Sequence, residues 1–524
     1  MKKTMKQHSF ASRLKSLALV FGIALAFASC ANEDIAQNPN GTDNNKNFTI
    51  FSTGDPATRT SMESNGAFYW EAGDKIWVKD DNGTWQQSRN APTEKTASFK
   101  FEVPGKFTKT TTYKVYYPGQ NGSQNQVAIA ANQSQAEPNT TTHFGTSGDC
   151  GMADAAWSNA KNGFAFTLDH KAAYLLLLPR TSNTILQGCY LTKVEVNSDN
   201  DITSTYTLDP TTGELRGTGT GKQIIVSTGG SGTYANGFPL TTSATSAATN
   251  GAYVVVKPGT HILKIRYWLK DVATGTEGTI TKTLASATYD QNKYYNITAN
   301  LDVRDYDGDH YYMWDAQKQY WYGYEWTKHL PGITGQPTQN YNGSSNYPQN
   351  NSDVSRWYHE GGGSGRFDAT QSCAGLPNVN EMTWYAAKGD PRWDGDELWT
   401  TMGHLYKGGM WFKKKANISG YNPNTGVDGT DWRTNDSQHG AQYSWSASQT
   451  LPSAADANNY FYLPALGYHG FYGALTTVGE LGYYWSSSAY PQWHEQAYYF
   501  GFYNAGVDVS NERCFFGYRA EAFQ

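Results

Sequence analysis

Hydrophobic and polar positions alternate with period two along much of this chain, in short pieces. Leu263, Ile265, Tyr267 and Leu269 interleave with Lys264, Arg266 and Lys270, which predicts a strand with one dry and one wet face. Phe48-Thr-Ile-Phe51, Phe68-Tyr-Trp70, Lys75-Ile-Trp-Val-Lys79 and Tyr113-Lys-Val-Tyr-Tyr117 are further β-rich pieces, bounded by Gly, Asp-Asn-Gly or Pro. Ala172 to Leu178 is apolar without a break, as a central strand buried on both faces requires. No 3.6-residue period is sustained between residues 47 and 303. The clearest helix comes later, at Glu381-Met-Thr-Trp-Tyr-Ala-Ala-Lys388. Asn378 is its expected N-cap, Glu381 completes a capping box, and Asp390-Pro391 stops it. A second helical stretch is expected near residues 398–415.

Aromatic strands return at the end of the chain: Tyr460-Phe-Tyr-Leu-Pro464, Gly482-Tyr-Tyr-Trp-Ser-Ser487, Ala497-Tyr-Tyr-Phe500 and Arg513-Cys-Phe-Phe-Gly-Tyr-Arg519. Gly, Asn, Ser and Pro separate them, so the region reads as a compact, loop-rich fold that displays side chains. Twelve of the 17 Trp lie after residue 303. Trp384, Trp411 and Trp485 fall within helix or strand motifs and are expected in the core. Tyr490, Gln492, Trp493 and His494 fall in a Pro-containing loop; Tyr503, Asn504 and Asp508 lie near the last hairpin. These seven are the candidate ligand contacts, because aromatic side chains bring contact area at low entropic cost and stack on sugar faces.

Lys+Arg 41 against Asp+Glu 46 leaves a net charge of -5, which argues against nucleic acid or an anionic membrane as partner. Charged residues at 17% and aromatics at 15% favour an all-β extracellular protein. Lys2, Lys3, Lys6, Arg13 and Lys15 precede an apolar stretch from Leu17 to Ala28. That stretch is shorter than the about 20 residues of a spanning helix, so residues 1–29 read as an export signal. A polar tether follows over 30–46. Export permits disulfides. Without Cys30, the cysteines fall two and two, and Cys150–Cys189 and Cys373–Cys514 are the expected pairings, which spacing alone does not fix. No His-Glu-x-x-His, Gly-x-Ser-x-Gly or Gly-x-x-x-x-Gly-Lys motif is present, and His404, His469 and His494 lack zinc-like spacing. Asp305-Tyr-Asp-Gly-Asp309 has its glycine misplaced for an EF-hand, with Ala316 where the bidentate Glu would stand, so it reads as an acidic turn. Neither metal, cofactor nor catalysis is expected.

Three resemblances sharpen the picture. Ala26-Phe-Ala-Ser-Cys30 resembles the lipobox of bacterial lipoproteins, which implies acylation of Cys30 and an outer-membrane, cell-surface location. Thr58-Arg-Thr-Ser61, Phe68-Tyr-Trp-Glu-Ala-Gly-Asp-Lys-Ile76, Phe166-Thr-Leu-Asp-His-Lys-Ala172 and Lys293-Tyr-Tyr-Asn-Ile-Thr-Ala-Asn-Leu301 together resemble the fimbrillin-like proteins of type V pili. That resemblance implies two transthyretin-like β-sandwiches, placed at 47–185 and 186–303. It also implies a proteolytic cut after an arginine near the first strand, here Arg59, and donation of a strand by a stalk pilin to the vacated groove. After a transition over 304–370, residues 371–524 resemble the C-type-lectin-like fold. Leu376-Pro-Asn378 with Glu381 matches its opening, and the aromatic strands match its close. The calcium and sugar triplets of animal C-type lectins are absent, as is the cysteine pair of the formylglycine-generating enzymes. The fold class expected is thus mainly β, two transthyretin-like sandwiches followed by an α+β C-type-lectin-like domain. The function expected is that of a pilus-tip adhesin binding a glycan or protein surface ligand. The alternatives are a surface lipoprotein that keeps its lipid, touching membrane only through that lipid, and a ligand-free assembly subunit.

Overall fold

The alternating segments become strands, and the protein is mainly β. The computed structural model describes residues 48–53, 61–62, 68–330, 365–435, 441–470, 473–493 and 495–523. Cys30 and Arg59 lie outside those residues, as does His494.

The first core is built on an eight-stranded sheet. Its main path runs Trp85–Gln87, Trp77–Lys79, Tyr113–Tyr117, Gly151–Ser158, Gly163–Ala165, Thr49–Ser52 and Lys100–Val103. The inward residues of these strands, among them Phe51, Val78, Phe101, Val115 and Phe164, form one core with Trp70. The second core is larger. Ala173–Arg180 runs through its centre, antiparallel to Ala252–Val256 and parallel to Tyr294–Asn300. Its seven residues up to Pro179 are buried, which is the fate of an unbroken apolar run flanked on both edges. Leu263–Lys270 buries every second residue, as its alternation predicts.

The two cores interleave along the chain. Val127, Ile129 and Phe144 belong to the second core, Ala153 to Leu168 return to the first, and Ala172 onwards rejoin the second. The first core lies wholly before residue 185, but the second draws on residues from both sides of it. Residues 304–330, expected within a linker, are built into the carboxyl-terminal region instead. Arg304–Tyr306 pairs with Arg392–Thr401, and Tyr311–Tyr312 pairs with Tyr518–Arg519. Tyr311, Trp314 and Trp321 are fully buried, and rings of that size are held by burial wherever they fall in the chain.

The carboxyl-terminal region carries a four-stranded and a six-stranded sheet. The helix Val379–Lys388 lies against them with Val379, Met382, Tyr385 and Ala386 buried on one side, and its Asn378–Glu381 capping box is formed. The second expected helix is absent. Residues 392–413 form a β-hairpin, Arg392–Thr401 with His404–Lys413, closed by Met402 at φ 50° and Gly403 at φ 86°. Two consecutive positive φ values make the tight turn that matches strand twist. Trp399, Thr400 and Thr401 suit a strand, and Gly408-Gly409 disfavours a helix.

This hairpin joins head to sandwich. Leu398 and Leu405 are buried within the second sandwich core. The Leu405 N–H donates to Asp271 at 3.0 Å, and His404 Nδ1 lies 3.1 Å from the same carboxylate. Asn183 Nδ2 donates to Thr400 Oγ1 at 3.0 Å. Gly278 has no side chain to give: a Cβ there would stand 2.5 Å from a Leu398 methyl.

The expected disulfides are not formed; Cys150, Cys189, Cys373 and Cys514 are all free and buried. Cys150 accepts from the Lys171 N–H, just before the 173–180 strand. Cys189 lies beyond that strand's far end, where Gln187 reaches the Thr181 carbonyl. Eight residues at about 3.3 Å each separate the two by more than a bridge can span. Cys373 and Cys514 share one small core as separate thiols. Burial pushes every one of these thiols up, Cys189 to about 12.

Candidate functional site

Two places combine accessible backbone or side chains with a built geometry. The first is the slot held by Thr49–Ser52. This strand pairs antiparallel with Lys100–Val103 over four residues and parallel with Gly163–Ala165 at Phe51 and Ser52. It is an internal strand, so its removal would expose two rows of N–H and C=O groups at once. Phe51 is fully buried. Its ring stacks on Phe164 at 4.9 Å and meets Phe107 edge-on at 5.1 Å. Just beyond it, the Trp70 indole N–H donates to Thr53 Oγ1 at 3.2 Å, and Thr53 Oγ1 also accepts from the Phe99 N–H at 3.0 Å.

The second is the head, where the predicted ligand residues separate. Tyr490 is 2% exposed, packs its ring on Tyr498 at 5.5 Å and donates to Gln492 Oε1 at 2.9 Å. It is a core residue that ties the loop down. Trp493 is 54% exposed, and Tyr503 40%. They flank opposite ends of the Gln496–Tyr503 strand, which is about 24 Å long at 3.4 Å per residue, so the loop and the last hairpin do not form one patch. Asn504 is exposed in the hairpin turn, and Asp508 is half-buried, accepting from Ser444 Oγ.

What the register does assemble is a second face on the six-stranded sheet, where Tyr483 and Tyr499 pack against the small core of Trp485, Ala497 and Tyr518. Tyr498, Phe500 and Phe502 point into the head core. The alternate positions Tyr499, Gly501 and Tyr503 point away from it. Across the strands, Tyr483 pairs with Gly501, Gly501 with Asp508, and Asp508 with Ser444. One register step over, Tyr499 pairs with Ser510, and beyond it Ala497 with Glu512. The rings of Tyr483 and Tyr499 stand 5.4 Å apart, and Tyr518 closes the group at 4.9 Å and 5.3 Å. Gly501 is the floor between them: a Cβ would meet the Tyr499 ring at 3.0 Å and the Tyr483 ring at 3.4 Å. Burial, with Tyr468, Asp508 and Glu512 nearby, pushes the Tyr483 phenol up to about 12. The same causes, with Tyr483 in place of Tyr468, raise Tyr499. Both rings stay neutral beside the carboxylates.

Of this face, the predicted residues include only Tyr503 and Asp508. Tyr483, Tyr499, Gly501 and Glu512 were missed. The signal for them is the period-two alternation of Ala497-Tyr-Tyr-Phe-Gly-Phe-Tyr503, which sorts 499, 501 and 503 onto one side once 498, 500 and 502 are taken as core.

No family model matches the chain. No curated protein matches it either. Among solved structures, it is similar to a candidate cell adhesion protein from Bacteroides ovatus, at 15% identity over 48% of this chain and 92% of that one, with a TM-score of 0.29. It is similar to a fimbrial protein from Bacteroides ovatus, at 13% identity over 51% of this chain and 52% of that one, TM-score 0.24. A third likeness is to the fimbrial anchor protein Mfa2 from Porphyromonas gingivalis, at 12% identity over 45% of this chain and 82% of that one, TM-score 0.22. These three neighbours are thus one candidate cell adhesion protein and two fimbrial proteins.

Proposed function

We propose that this protein is an exported, non-catalytic adhesive subunit of a surface pilus, placed at the tip. Its sandwiches would accept a donor strand from a stalk pilin, and its carboxyl-terminal head, a C-type-lectin-like module over 371–524 joined by 304–330, would bind a surface ligand. The observation that carries the reading is the place of Thr49–Ser52. A short strand paired on both edges and buried at Phe51 sits only a few residues before Arg59. A cut after Arg59 would free that strand together with the lipid on Cys30. Another chain's strand would then repair both the polar rows and the apolar trough by β-augmentation.

The pairing of the last strands supports the tip reading. The strands from Gly482 to Arg519 pair inside the head, and the Phe523 ring packs on Tyr385, Phe461 and Phe500. None of them is available as a ribbon for a neighbour. These strands would therefore not serve as the donor for a neighbour.

The test is a cut with an arginine-specific protease, followed by mass spectrometry and addition of a fluorescent stalk-pilin donor peptide. The expected result is loss of residues up to 59, uptake of the peptide, and no filaments from this chain alone. Filaments from the purified chain would overturn the tip assignment. Protein sheared from cells that retains residues 30–59 would show instead a surface lipoprotein that keeps its lipid.

A further inference from the structure

We infer that the open edge of Tyr294–Asn300 pairs with the same strand of a second copy of this chain, antiparallel and about a two-fold axis at Ile297. Only the second core is used, so the pair forms whether or not the carboxyl-terminal region binds a ligand.

The three-stranded sheet of this core has two edges, and they are finished differently. On one, Ala252–Val256 meets side chains that stand in for a strand. Gln133 Nε2 donates to the Val255 carbonyl at 2.8 Å, and its Oε1 accepts from the Val255 N–H at 3.0 Å. Gln135 does the same at the Gly251 carbonyl and the Tyr253 N–H, at 2.9 Å and 2.7 Å. On the other edge, Tyr294–Asn300 pairs only with Ala173–Arg180 among the described residues. The Tyr174 N–H donates to the Lys293 carbonyl, and the Leu301 N–H to the Arg180 carbonyl. The parallel register therefore turns the backbone groups of 293, 295, 297, 299 and 301 toward that strand, and those of Tyr294, Asn296, Thr298 and Asn300 outward. All four of these residues are exposed. None of the strand's seven residues is charged or a proline, the devices that commonly guard an open edge against pairing.

The edge is its own complement. About an axis at Ile297, Tyr294 comes opposite Asn300 of the second copy, and Asn296 opposite Thr298. Each outward N–H and C=O then has a partner, two bonds to each of the four facing pairs. An axis at Asn296 or at Thr298 would leave the outward groups of one end unpaired. On the core side, Tyr295 faces Ala299 of the second copy and Ile297 faces its twin, so the apolar underside continues across the seam. Beyond the strand, exposed Lys293 falls beside Leu301 of the second copy, next to its exposed Asp302. Opposite charges at both ends favour this direction and register. Each copy spends its open edge in the pair, so the assembly closes at two and builds no filament.

The test is sedimentation velocity on the full chain, carrying Cys30→Ser throughout so that no acyl chain drives association. Dimers are expected to increase with protein concentration and to stop at two. Thr298→Pro removes one outward N–H and no bond to Ala173–Arg180, as an edge strand tolerates, and should weaken dimerisation at least tenfold. Asn296→Lys with Thr298→Lys sets lysines opposite one another, and Asn296→Glu with Thr298→Glu sets glutamates. Each double variant should be monomeric, and an equal mixture of the two should dimerise again. The side chains are exposed, so circular dichroism should match the parent; if Thr298→Pro alone loses its fold, the double variants decide. A parent that stays monomeric at every concentration overturns the inference. So do dimers that survive in both double variants, a mixture that stays monomeric, or an assembly that grows past two.

Discussion

Shortening Phe51 to alanine tests whether the first strand is a separable plug. The side chain is fully buried against Phe164 and Phe107, with ring centres at 4.9 Å and 5.1 Å, and Tyr113 edge-on at 6.5 Å. Phe→Ala in such a site costs about 3–5 kcal/mol. The backbone pairing to Lys100–Val103 and Gly163–Ala165 does not depend on that ring. In an intact chain the loss falls on the stability of the whole sandwich. In a chain cut between residues 53 and 61 it falls on the affinity of the 49–52 strand for its slot. At 1.4 kcal/mol per decade, about 3 kcal/mol is roughly a hundredfold weaker retention. The assay places a sequence-specific protease site within residues 54–60, cuts, and follows release of the fluorescently labelled amino-terminal fragment by anisotropy. On dilution, wild type should hold the fragment longer, and Phe51→Ala should release it at roughly hundredfold higher protein concentration. Equal retention within about threefold would refute the plug: the ring would then not be what keeps the strand in place.

Leu405→Ala removes a head residue from the sandwich core, and a loss of about 2–5 kcal/mol is expected in urea unfolding of the sandwich; a loss confined to the head would contradict the shared core. His404 should give the junction a pH dependence. Its hydrogen bond to Asp271 holds its pKa above 6.5, so the stabilisation is complete below pH 6.5 and is lost as pH rises through the raised value. Burial works to raise Asp271, but bonds from His404, Leu405 and Ala273 hold it below 3.8, so its share is present above pH 3.8 and lost as pH falls through the lowered value. The melting temperature should fall from pH 6.5 to 9, and His404→Asn should flatten that slope; an unaltered slope would refute the pairing. The four thiols are buried and pushed up in pKa, so iodoacetamide should label none of them in native protein and all of them in urea, read by mass spectrometry.

Local periodicity carried far in this chain. The alternation at 263–270, the apolar run at 172–178 and the Asn378–Glu381 cap each specify their element from side chains within a few residues. The hairpin at 392–413 was misread because Leu398 and Leu405 are apolar for the sake of the sandwich core, far away in sequence. Their spacing therefore reports a tertiary contact and no helical face. The interleaving of the two cores was hidden for a related reason. Strands 126–129 and 151–158 look alike locally, and only their partners at 204–208 and 113–117 assign them to different cores. At the head, exposed residues were sought in loops, where Trp493 and Asn504 are indeed exposed. The sheet face escaped notice because Gly501 contributes by having no side chain, and Tyr483 and Tyr499 look like core residues until the register is known.

The docking of Leu398 and Leu405 also has a mechanical side. A tensile load applied to the head passes through a hairpin whose tip is rooted in the neighbouring module's interior. It cannot be relieved by swivelling at a hinge there; it must extract two leucines and break the Asp271 bonds together. The carboxyl-terminal region is therefore expected to keep a fixed bearing relative to the second core under drag.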